Sequence, residues 1–125
     1  MRINRALILI LLLLALSAGC SKGNNSSESG EVTLVISTIG KTTSENLTIS
    51  NSTALQILEH SHAVESVAYP AIGKFVKCID RVCSDSSYFW AFYINGNLSS
   101  IAASSYIPRK GDILEFKYEK IAGYR

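Results

Sequence analysis

Five aromatic residues fall in six positions, Tyr88-Phe89-Trp90-Ala91-Phe92-Tyr93, and Ile94 and an Asn95-Gly96 pair follow. No other stretch constrains this chain so strongly. Aromatic and β-branched side chains suit a pleated surface, so the run reads as a strand. Alternation puts Phe89, Ala91 and Tyr93 on one face and Trp90, Phe92 and Ile94 on the other. Both faces are apolar, which places the strand centrally in a sheet covered on at least one side. Trp90, Phe92 and Ile94 are expected in the core. Tyr88 and Tyr93 carry a polar tip that can reach a surface or a ligand. Asn95-Gly96 tolerates positive φ and turns the chain.

Residues 1–19 set the compartment. Arg2 and Arg5 precede an almost wholly aliphatic run from Ala6 to Leu16. A membrane span needs about 20 apolar residues, so this shorter run reads as the hydrophobic region of an export signal. Ser17-Ala18-Gly19 directly before Cys20 resembles the lipobox of prokaryotic lipoproteins, with Ser17 where that family usually has Leu. The resemblance implies cleavage before Cys20 and lipid on its thiol. The mature protein is then held at the cell surface, on the outer face of the cytoplasmic membrane. The alternative is an ordinary signal peptide cut nearby. Residues 20–30 follow as the lipid-attachment cysteine and a flexible tether, because Ser21 to Gly30 contains no aliphatic side chain. Residues 31–125 remain as one small domain.

The formal net charge is +2, and removing the two arginines of the export segment takes it to 0. No basic field is left to recruit nucleic acid. With Cys20 assigned to lipid, Cys78 and Cys83 remain as a pair in an oxidising compartment, where a disulfide is expected. Thiolate ligation of a metal is the rival. No further cysteine or histidine stands nearby at a zinc-type spacing, which favours the disulfide and no metal site.

Glu31 to Thr38 alternates with Val32, Leu34 and Ile36 on one face, and Thr42 to Ser50 returns antiparallel to it. Gly40-Lys41-Thr42 looks like the end of a phosphate-binding loop. The earlier glycine that motif needs is replaced by Val35, and strand-like alternation follows it rather than a helix. Thr53 and Gln56 have the spacing of a capping box, and Ala54, Leu55, Ile57 and Leu58 begin an apolar stripe. A helix of about three turns, running on toward Val64, is expected. His60 and His62 point to different sides of such a helix and read as exposed polar residues closing it. Phe75 to Asp80 is a third strand, leading into a Cys78–Cys83 hairpin. Arg109 to Asp112 is a turn. Ile113 to Tyr118 is the closing strand, with Leu114, Phe116 and Tyr118 inward. The order gives an α+β fold, a β-grasp-like mixed sheet with one covering helix.

Several of these residues together resemble a known family. They are Thr53-Ala54-Leu55 with Leu58, Trp90 to Gly96, Ala102, Tyr106-Ile107-Pro108, and Gly111-Asp112 before a strand ending at Tyr118. The pattern resembles the transcobalamin-like C-terminal domain, a β-grasp module of prokaryotic surface proteins. It is related to the small domain of the animal cobalamin carriers. In the carriers that domain closes over cobalamin opposite a helical barrel, and this chain has no segment matching the barrel. The resemblance implies a binding module, with cobalamin as a possible ligand but no cofactor. The ligand contacts would lie around Trp90, Tyr93, Asn95 and Tyr106. The other reading is a structural or adhesive surface domain that contacts a partner protein and binds no small molecule.

No nucleophile elbow, no His-Glu-x-x-His and no acid–base constellation stand in the sequence, so an enzyme is not expected. Asp80, Asp85 and Asp112 fall in turns, where Asp is expected for backbone reasons. Asn24, Asn25, Asn46, Asn51 and Asn97 each open an Asn-x-Ser/Thr triplet. Beside the lipobox resemblance, their density points to a glycosylated surface protein.

Overall fold

The structure, a computed structural model, describes residues 30–123. The export segment, Cys20, Asn24, Asn25 and the tether up to residue 29 lie outside the described residues. The elements run β1 (Gly30–Thr38), β2 (Lys41–Ile49), α1 (Ala54–Ser61), β3 (Val64–Tyr69), β4 (Gly73–Ile79), β5 (Val82–Cys83), β6 (Tyr88–Ile94), β7 (Asn97–Leu98) and β8 (Ile113–Lys120). A single 3-10 turn spans Ala103–Ser105. Among these residues no helix is long and apolar enough to cross a membrane.

The strands form a five-stranded sheet, β2-β1-β8-β6-β7, and a three-stranded one, β3-β4-β5. β1 pairs parallel with β8 and every other pairing is antiparallel. A leading hairpin, one helix, and a last strand returning parallel beside the first make up the expected α+β mixed-sheet fold. The second sheet was not expected.

The aromatic strand is not the centre of its sheet. β8 is, with β1 on one side and β6 on the other, and its Leu114 and Phe116 are 0% and 1% exposed. β6 has only the two-residue β7 on its outer side. Its aromatics are abundant because one flank packs on the core and the other borders a groove. Its turn is as expected: Asn95 and Gly96 have φ of 51° and 82°, the pair of positive values a tight hairpin needs.

The helix is shorter than its apolar stripe suggests. The capping box forms, with Thr53 Oγ1 accepting from the Gln56 amide at 3.2 Å and Gln56 Oε1 from the Thr53 amide at 2.9 Å. The helix then stops at Ser61, and residues 64–69 become β3 instead of a third turn. Two tertiary contacts outweigh the local preference. The Ala63 amide donates to Asp80 Oδ1 at 3.1 Å, and the segment gains a ladder with β4. His62, expected to be a plain exposed residue, is pulled into the same junction. Its Nδ1 lies 2.6 Å from Asp80 Oδ2 and its Nε2 3.0 Å from Glu45 Oε1, which ties the small sheet to β2.

The core lies under one face of the large sheet. Val32, Leu34 and Ile36 of β1, Leu114 and Phe116 of β8, and Trp90 of β6 meet Leu55, Ile57 and Leu58 of α1 and Ile79 of β4. The other face is polar. There Ser37, though buried, donates to Glu115 Oε2 at 2.7 Å, and Tyr93 donates to Glu119.

Candidate functional site

Where the outer flank of β6 meets β4, the two sheets leave a cleft. Phe75 and Val76 of β4 form one wall, and Phe89, Trp90 and Phe92 of β6 the other. Leu98, Ile101, Ala102 and Ala103 close one end. The cavity holds about 340 Å³. A hollow of about 400 Å³ adjoins it, sharing Phe75, Val76, Phe89 and Trp90 and adding Tyr69 and Ile72. Cavities of this size suit small organic ligands. Several of the apolar residues here stay partly in water: Ile72 is 61% exposed, Leu98 64%, Tyr69 51%, Ile101 46% and Phe75 42%. A contiguous exposed apolar patch marks a contact surface.

The geometry of the cleft is set by Trp90 and Tyr118. Trp90 is buried, and its Nε1 donates to the Val82 carbonyl at 2.9 Å. Its backbone amide donates to Ser84 Oγ at 3.3 Å. The Tyr118 ring sits 5.1 Å from the Trp90 ring and stacks on Tyr88, while its hydroxyl donates to the Cys83 carbonyl at 2.7 Å. These contacts hold β5 and the small sheet against the large one. Phe92 stacks on Phe116 at 4.9 Å and so presents a fixed surface. The cleft therefore offers rigid ring faces and, at its rim, the Ser99 hydroxyl, which donates to the Ile101 carbonyl at 2.7 Å. A wider hollow of about 550 Å³ between β2 and α1 has a polar rim that includes Thr48, Ser52, Gln56 and His60, and carries no aromatic stacking surface.

The four expected ligand contacts do not share one place. Trp90 is in the cleft. Tyr93 is on the opposite, polar face, with Lys117 Nζ 6.0 Å from its ring centroid. Asn95 and Tyr106 converge on Asp112. Asn95 Nδ2 donates to Asp112 Oδ1 at 2.9 Å, and the Tyr106 hydroxyl to Oδ2 at 2.6 Å. The Arg109 amide adds a third bond at 2.8 Å. Burial pushes the Asp112 carboxyl up, but these three hydrogen bonds outweigh it and hold the group below the usual carboxylate range. Burial, and then the bond to Asp112, push Tyr106 up. Asn46, Asn51 and Asn97 are exposed, and Asn46 Oδ1 accepts from Thr33 at 3.0 Å.

Sequence reasoning missed Phe75, Leu98 and Ile101 as cleft residues and Asp112 as a hub. Leu98 and Ile101 stand among serines with no periodic pattern. Asp112 looks like any turn aspartate until its partners are placed around it. Cys78 and Cys83 do form the expected disulfide, joining directly opposite residues of β4 and β5.

A family model described as a domain of unknown function (DUF4430) matches residues 51–120. No curated protein matches the chain. Among solved structures, one similar fold is a candidate metal-binding protein from Ruminococcus gnavus ATCC 29149. It is 16% identical with a TM-score of 0.66, over 76% of this chain and 99% of that one. Another is haptocorrin in complex with Cbi, 23% identical with a TM-score of 0.65, over 78% of this chain and 27% of that one. The chain thus spans about a quarter of haptocorrin's length.

Proposed function

Since the chain belongs to the DUF4430 family, a domain of unknown function, we propose from its own geometry that it is a binding module for a small, flat, largely apolar ligand. We further propose that lipid on Cys20 holds the module at the outer face of the cytoplasmic membrane and that it carries out no catalysis. The observation that carries the ligand reading is the cleft between the sheets, walled by Phe75, Phe89, Trp90 and Phe92 and open along Leu98 and Ile101. Rings held at fixed angles bind planar apolar surface with little loss of side-chain freedom. The fold shared with haptocorrin, which was solved with Cbi bound, supports trying corrinoids first. The fold shared with a candidate metal-binding protein keeps other small ligands in view. A partner-protein reading draws on the same exposed rim, Tyr69, Ile72 and Leu98.

Trp90 is the chain's single tryptophan and lines the cleft, so it reports on occupancy. The full chain is titrated with cobalamin and with an apolar fluorescent dye, and Trp90 emission and heat are followed. Saturable quenching with either, weakened by Phe89→Ala, supports the reading. No change in emission or heat with either probe would leave the partner-protein alternative standing in its place.

A further inference from the structure

The small sheet sets three metal-type donors in one row. Glu65 of β3 lies opposite Cys78 of β4, and Cys78 lies opposite Cys83 of β5. Directly opposed residues of antiparallel strands share a face. Here the Glu65 carboxylate and both sulfurs lie within 4.8 Å of one another, with Glu65 Oε2 3.2 Å from Cys78 Sγ.

The row depends on a break in the ladder. From Ser66 onward the pairing is Ser66 with Val76 and Val67 with Phe75. Continued unbroken, it would set Glu65 opposite Lys77, a ready pair of opposite charges. The register instead shifts between Glu65 and Ser66, which aligns the carboxylate with the cysteines. Bulges recur beside functional sites because they re-aim a side chain. A carboxylate facing two disulfide sulfurs gains little, since neither sulfur has a hydrogen to donate.

We propose that the Cys78–Cys83 bond is reducible and that the resulting dithiol joins Glu65 to hold a thiophilic divalent cation of the zinc class. In thiol–disulfide exchange a dithiol reductant passes two electrons and two protons to the cysteines. The S–S bond breaks, and the reductant leaves as its own disulfide. The cation then displaces both thiol protons to solvent. Two thiolates and one carboxylate form a zinc-type donor set, and water can complete the tetrahedron. Cys78 is buried while Cys83 and Glu65 are exposed, so the row is closed behind and open in front. The bond links residues only five apart. In the chain-entropy model the stabilisation a disulfide gives grows with its loop, so a bond closing so short a loop gives up the least on opening.

The test uses the full chain carrying Cys20→Ser, which removes the third thiol. It is reduced with a water-soluble phosphine, freed of the phosphine and titrated with Cd²⁺ without oxygen. Circular dichroism monitors the fold. The expected result is an ultraviolet sulfur-to-cadmium charge-transfer band that saturates at one equivalent and is absent before reduction. Glu65→Gln, at an exposed position, keeps the band and weakens binding roughly 10- to 100-fold. No band after reduction overturns the proposal. Unchanged affinity in Glu65→Gln, or equal uptake by a chain with both Cys78→Ser and Cys83→Ser, overturns it as well.

Discussion

Tyr106 and Asp112 meet hydroxyl to carboxylate, with 2.6 Å between the oxygens. Through that contact the loop after the 3-10 turn is fastened to the residue just before β8. Asn95 joins from the β6 turn, 17 residues away, and the Arg109 amide makes the third bond, so the β6 turn and the loop before β8 end on one carboxylate. Asp112→Ala strands three donors and is expected to cost about 2–4 kcal/mol. Tyr106→Phe removes one of them and costs about 1–2 kcal/mol. Urea unfolding of both variants checks the order. Asp112 is held below its ordinary carboxylate range when folded. Its contribution is therefore present above the unfolded value near 3.8 and is lost as pH falls through the folded value. In Asp112→Ala this part of the acid unfolding slope should flatten.

His62 gives the opposite dependence. Burial lowers its pKa, but the hydrogen bonds and charges of Asp80 and Glu45 win, and the folded value lies above 6.5. A raised folded value means the stabilisation is complete below the unfolded value and fades as pH rises through the folded one. Asp80 is subject to burial, which raises it, but its bonds to His62 and the Ala63 amide pull it below 3.8. Its share is lost only as pH falls through that lowered value. The junction is therefore strongest in mildly acid solution. His62→Gln should leave a flatter stability profile from about pH 6 to pH 8, with a difference of about 1 kcal/mol or less for so accessible a pair. Equal slopes in the two proteins would count against the junction.

Gly73 separates space from conformation. Its φ is 122°, and an added Cβ would lie 2.8 Å from Ser104 Oγ and 2.9 Å from Ala102 Cβ. Gly73→Ala is expected to cost about 1–3 kcal/mol and to loosen β4 from the 3-10 turn. Gly40→Ala, with a φ of 77° and open space around it, should cost less. Thermal midpoints of the two variants test the ranking.

The helix rests on its cap. Thr53→Ala removes the acceptor for the Gln56 amide and is expected to destabilise the chain by about 1 kcal/mol. Thr53→Asp should recover most of that. Urea midpoints decide it.

Leu98 tests the cleft without disturbing the core. It is 64% exposed, so Leu98→Ala should change stability by less than about 0.5 kcal/mol while weakening any probe that quenches Trp90. A variant of unchanged affinity would move the binding surface elsewhere.

Much of this was legible in the residues. The alternation of Val32, Leu34 and Ile36, the aromatic run from Tyr88, the Asn95-Gly96 turn and the Thr53–Gln56 box each act through neighbours a few positions away. Each produced the element expected of it. β3 was not legible, because residues 64–69 become a strand only through their ladder with β4. The cleft was hidden for the same reason. Phe75 and Leu98 border one space only once the two sheets are set against each other.

The chain alone therefore determined most local elements, β3 and the end of α1 excepted, together with the α+β class and the pairing of Cys78 with Cys83, since these depend on short-range periodicity and simple counting. Tertiary structure decided which strand is central, which side chains line the cleft, and which carboxylates face His62 and the sulfurs. Those outcomes depend on registers between distant segments, and a single residue's slip at Glu65 changes what its side chain meets.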